Sequence, residues 1–156
     1  MTTAGQDALA LTSVLRNPRL AAEIDTRAWE RLVWQSRSAE LMGQLHLALT
    51  SEGMLEHAPE GARRHLDSAW FIAGKHTEAV RHELRALQEL LEPLDVPVIL
   101  LKGAAYCAQG NRASAGRIFN DIDILVPKAA LPEVEKQLTW AGWFPTHTTA
   151  YAEAAP

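Results

Sequence analysis

The stretch VPVILLKG, Val96 to Gly103, decides the fold class of this chain. It is short, rich in β-branched residues and continuously apolar, with Pro97 near its start and Gly103 at its end. That pattern predicts a buried strand. Nearly everything upstream of Pro93 carries helical spacing. A buried strand after that point therefore makes the chain α+β rather than all-helical.

Upstream, residues 4–15 are apolar at helical spacing, and "RNP" (Arg16 to Pro18) ends that run. Asp25 or Thr26 is placed to cap a second helix that continues through "RAWERLVWQSRSAELMGQLHLAL". Trp29, Leu32, Val33, Ser36 and Leu41 form its inward stripe, and Gly53 marks its end. The longest helical run begins after Pro59, which suits a first-turn position, and stops at Pro93. Leu66, Trp70, Ala73, Thr77, Val80, Leu84, Leu87 and Leu91 step along one face of it. Gly74 weakens its middle slightly.

Downstream, "AAYCAQG" reads as a short helix ending at Gly110, and "NRASAG" as a loop. "DIDILVP" reads as a second strand closed by Pro127. "KAALPEVEKQLTWAGW" is an amphipathic helix with Leu131, Val134 and Leu138 inward and Gly142 near its C-cap. "WFPT" is placed to begin a third strand. The organisation expected is a helical region over residues 1–93 and a small mixed sheet with helices over residues 94–156.

The 156 residues suffice for about one domain. With 15 basic and 19 acidic residues the formal net charge is -4, which gives no general nucleic-acid signal. The single cysteine, Cys107, excludes an intrachain disulfide and fits a cytoplasmic setting. No secretory leader is visible at the N-terminus, and no apolar stretch reaches membrane-span length. The six histidines form neither the helical pair of a zinc protease nor a finger spacing.

The chemistry concentrates in "RIFNDIDILVP", Arg117 to Pro127. Alternate strand residues share a face, with Cα atoms roughly 6.5 to 7 Å apart, so Asp121 and Asp123 project together while Ile122, Ile124 and Val126 turn to the core. Two carboxylates at that separation suit a pair of divalent ions, and Mg²⁺ takes carboxylates together with substrate phosphate oxygens. Upstream, Gly103 lets a phosphate approach the backbone, and Lys102 adds a cation there. Arg117, four residues before Asp121, is placed to meet a phosphate or orient a carboxylate.

Each feature also has a plainer reading. Asp121 caps a strand end and Asp123 pairs with Arg117 or Arg112. Lys102 merely extends to solvent, and Arg117 is a surface residue. Cys107 is core, with no basic neighbour to activate it. Trp29, Trp34 and Trp70 are packing residues. Arg63, Arg64 and His65 form a solvated face, and His76 and His82 lie on the wet side of the long helix.

The two motifs in order resemble the nucleotidyltransferase superfamily, and more closely the bacterial family of uncharacterised nucleotidyltransferases. That family carries "LLKG", a variable loop, then Arg, three residues and "DIDLLV". Here these are Leu100 to Gly103, and Arg117 followed by Asp121-Ile122-Asp123-Ile124-Leu125-Val126. "LTWAGW" is similar to the family's "L…GY"-like segment, and a helical N-terminal region precedes the strand in both. The resemblance covers the motif region, about residues 94–144.

The resemblance implies Mg²⁺-dependent transfer of a nucleoside monophosphate from an NTP to an unknown acceptor hydroxyl. Asp121 and Asp123 would bind two metal ions, Lys102 and Gly103 would hold phosphates, and Arg117 would support the site. Two departures stand out. Ala104 follows Gly103 where the superfamily often has Gly or Ser. The superfamily's third carboxylate arrives on a later strand, whereas the last acid here is Glu153 in "YAEAAP". The chain thus reads as the front part of such an enzyme: a truncated frame, a fragment, or one piece completed by a partner chain. The alternative function is a degenerate nucleotidyltransferase-like module that binds or docks without catalysis.

Overall fold

The computed structural model describes residues 11–144. Six α-helices and two strands follow in the order α1 (Leu11–Arg16), α2 (Thr26–Ser38), α3 (Met42–Ser51), α4 (Glu60–Leu91), β1 (Ile99–Leu100), α5 (Lys102–Ala108), β2 (Ile124–Leu125) and α6 (Leu131–Trp140). The fold is helical α+β, as the pattern change after Pro93 predicts.

Asp25 caps α2: its carboxylate accepts the Ala28 N–H at 2.8 Å, an arrangement worth about 1 kcal/mol. The single helix expected from Asp25 to Leu49 is in fact two. Glu40 adopts φ 58°, the Glu40 N–H donates to the Arg37 carbonyl, and the Leu41 N–H donates to the Ser36 carbonyl. This is the paired C-terminal closure that usually carries glycine at the left-handed position. Gly53, Gly110 and Gly142 close α3, α5 and α6 in the same way.

The 32 residues of α4 make it about 48 Å long. Leu66, Ala73, Val80, Leu87 and Leu91 are buried along the predicted face. The N-terminal half of α4 closes a core with α1, α2 and α3, built on Val14, Trp29, Leu32, Leu45, Leu49 and Leu66. Its C-terminal half carries two smaller clusters. Val80 packs with Cys107 and Phe119, and Leu87 and Leu91 pack with Val134, Val98, Ile122 and Ile124. Cys107 is therefore core, as expected. Two apolar residues depart from expectation. Trp34 is 70% exposed, and Leu131 lies 42% exposed at the start of α6, while Val134 is buried.

β1 and β2 are antiparallel, with Ile99 opposite Leu125 and Leu100 opposite Ile124. The strands are shorter than the apolar runs that predict them. The expected third strand does not begin at Trp143 or Phe144, and the rest of "WFPT" lies outside the described residues. The inward face packs on α4 and α6. The outward face leaves Ile99 and Leu125 open, at 54% and 53% exposure.

Candidate functional site

Strand alternation places the acids. Ile122 and Ile124 turn inward onto Leu87, Leu91 and Val134, so Asp121 and Asp123 fall on the outward side. Both acids lie just ahead of β2 rather than inside it. The backbone nevertheless continues the ladder there, because the Leu101 N–H donates to the Asp123 carbonyl at 2.9 Å. That bond sets Asp123 beside the residue after Leu101, which is Lys102.

The Lys102 ammonium lies 3.0 Å from Oδ2 of Asp123. The partner of Asp123 is thus Lys102, and not the Arg117 or Arg112 of the plainer reading. The hydrogen bond and charge of Asp123 hold the Lys102 pKa above its ordinary value near 10.5, with the charge of Asp121 adding a smaller share. The Lys102 side chain remains 74% exposed and that of Asp123 32% exposed. Lys102 opens α5 with φ 48°. A left-handed lysine is strained by about 1–2 kcal/mol, and such strain gathers at sites where the side-chain direction matters.

Gly103 also has a packing role, which no local pattern in the sequence marks. A Cβ built there would lie 2.1 Å from Cδ1 of Phe119. The Phe119 ring occupies the space a side chain would need, and Phe119 itself is buried. Arg117 lies over the other part of this group, its Cζ 5.6 Å from the Phe119 ring centroid. Arg117 therefore meets the ring that positions the segment.

His76 was expected on the wet side of α4 and is instead half-buried. Its Nε2 accepts the backbone N–H of Phe119 at 2.9 Å. The two rings also meet, with centroids 6.2 Å apart at 44°. A signal was present in the sequence: His76 is three residues after Ala73 and four before Val80, on the same helical face as both. His82 is exposed, as expected.

The loop between α5 and β2 is fixed elsewhere too. Gln44 of α3 donates to the Ala115 carbonyl. Gly43 of α3 meets Gly116 so closely that a Cβ at Gly43 would fall 2.2 Å from the Gly116 carbonyl oxygen.

A cavity of about 510 Å³ opens on the opposite side of β1 from the acids, between α4 and the strand, lined among others by Arg81, Arg85, Val98 and Leu100. The acids themselves stand on the open outward face.

A protein-family profile described as "Uncharacterised nucleotidyltransferase" matches residues 25–155. The chain belongs to this family. No curated protein and no solved structure matches it. As an uncharacterised nucleotidyltransferase, the chain brings together Asp121, Asp123 and Lys102 from the two motifs, with Gly103 next to Lys102 and Arg117 one ring away. Among the described residues no group of three or more His, Cys, Asp or Glu side chains is placed to hold a metal ion. Glu153 lies outside them. The donor set present is two carboxylates, which is what Mg²⁺ uses when substrate phosphates and water fill its other positions.

Proposed function

We propose that this nucleotidyltransferase transfers a nucleoside monophosphate from an NTP to an acceptor hydroxyl, with Asp121, Asp123 and Lys102 as its central residues. The observation that carries the reading is the Lys102–Asp123 contact beside Asp121 on an open face. Two anions and an exposed cation side by side suit a triphosphate and its counter-ions.

Asp121 and Asp123 are the residues that hold Mg²⁺ in this reading, and the ion, when bound, neutralises phosphate oxygens and lowers the pKa of an attacking oxygen. Lys102 turns its ammonium from Asp123 to a phosphate. In the transfer, the acceptor oxygen bonds to the α-phosphorus and the bond from that phosphorus to the bridging oxygen breaks. Pyrophosphate leaves with the electron pair, and the acceptor proton passes to solvent. The open face leaves space for the acceptor. A cytoplasmic setting, where NTPs are available, suits this chemistry, and no described helix is long and apolar enough to cross a membrane.

The test is a titration of each common NTP with and without Mg²⁺, followed by label transfer from α-labelled NTP into a pool of cell-extract acceptors. The wild type is compared with Asp121→Ala/Asp123→Ala. Mg²⁺-dependent binding and transfer, both lost in the double variant, are expected. Binding without transfer assigns the chain to the binding-module alternative. Absence of any Mg²⁺-dependent binding overturns the metal reading.

A further inference from the structure

We infer that His76 is a positioning residue for Asp121 and Asp123, acting through Phe119; its metal-binding arm rests on the reading of those two acids given above. His76 lies on α4, the longest of the described helices. Phe119 lies two residues before Asp121, in a segment without regular secondary structure. The Phe119 N–H donates to His76 Nε2 at 2.9 Å. The imidazole proton therefore sits on Nδ1, and Nε2 is an acceptor.

Three features make this bond consequential. The Phe119 side chain is buried, and leaving a backbone donor without a partner beside it is costly. The ring of the same residue is wedged against Gly103, next to Lys102. A shift of Phe119 thus moves both halves of the site: the acids by chain connection and the start of α5 by contact. Finally, the other ties on this loop, Gln44 to Ala115 and Gly43 to Gly116, act farther from the acids. The His76 bond holds the chain just before the acids, and the Leu101–Asp123 ladder bond holds it at the second of them.

The wild-type protein supplies a first test: a scalar coupling across the hydrogen bond between the Phe119 amide and His76 Nε2. Its absence overturns the proposal, whatever the variants do. The second test compares His76→Leu, which fills the space without an acceptor, with His76→Gln, whose side-chain carbonyl can accept the same N–H. Hydrogen exchange at Phe119 is expected to speed up by roughly five- to tenfold in the leucine variant. The buried amides of Leu66 and Val80 should keep their wild-type protection, and glutamine should restore most of that at Phe119.

Mg²⁺ titration should show weaker binding in His76→Leu and recovery in His76→Gln. Unchanged exchange at Phe119, or faster exchange with unchanged Mg²⁺ binding, overturns the positioning role. If the wild type takes up no Mg²⁺, the metal reading fails separately. The positioning role is then decided by the carboxyl ¹³C shifts of Asp121 and Asp123. A change in His76→Leu that reverts in His76→Gln sustains it, and identical shifts in all three proteins overturn it.

Discussion

The ammonium of Lys102 sits 3.0 Å from Oδ2 of Asp123, on the carboxylate that the functional reading assigns to a metal ion. A divalent ion at Asp123 would compete with this built-in counter-ion for the same carboxylate. Lys102→Met is therefore expected to act in opposite directions on two ligands. Mg²⁺ alone should bind more tightly, by no more than about fivefold because an exposed pair is weak. Mg²⁺ with NTP should bind less tightly, because the phosphate loses its cation. Calorimetric titration of both separates the effects, and a change of the same sign in both would contradict the exchange of partners.

The same pair fixes a pH dependence. The folded-state pKa of Lys102 is raised above its ordinary value near 10.5. Its contribution to stability is therefore complete below the unfolded-state value and is lost as pH rises through the folded one. The stability difference between wild type and Lys102→Met should stay flat through the neutral range and vanish only in strong alkali. Chemical denaturation at a series of pH values measures this, and a difference that fades near neutrality would exclude the assignment.

Gly103→Ala should be destabilising by about 1–3 kcal/mol, because its new methyl meets the Phe119 ring. Phe119→Ala should cost about 3–5 kcal/mol through the cavity it leaves. In the Phe119→Ala background the alanine at position 103 should cost much less, since the ring is gone. Urea denaturation of the four proteins gives the coupling. Additive effects would mean that Gly103 is glycine for another reason.

Glu40→Gly should stabilise the protein by up to about 1 kcal/mol, since glycine adopts the left-handed conformation at the end of α2 without strain. The added entropy of glycine in the unfolded chain opposes part of this gain. A thermal melt reads the sum, and a lower Tm would show that the Glu40 side chain stabilises the junction.

Much of the fold was legible because proline and apolar period act locally. Pro59 and Pro93 bound α4, and its buried face follows the predicted stripe. Asp25 caps α2 as its residue type suggests. The outward placement of Asp121 and Asp123 follows from alternation with Ile122 and Ile124. What was not legible depends on tertiary contact. Glu40 carries no sequence mark of a helix end, because glutamate favours helix and the closure there is imposed by the packing of α2 and α3. The histidine at position 76 looks like any polar residue on a long helix until Phe119 arrives from far along the chain. The reason for Gly103 lies in that same ring. The strand runs overestimate β1 and β2, since Val96, Val98, Ile122 and Val126 are apolar for contact with α4 and α6 rather than for ladder bonds.

α4 belongs to the N-terminal core at one end and to the acid-bearing strand pair at the other. A sheet of two strands is marginal by itself in water, so the strand pair draws its order from a rod anchored elsewhere. Breaking that rod at its exposed midpoint, with Gly74→Pro, should divide one melting event into two. The N-terminal helices would then outlast the strand pair, and the site would dissolve first although no residue of it had been touched.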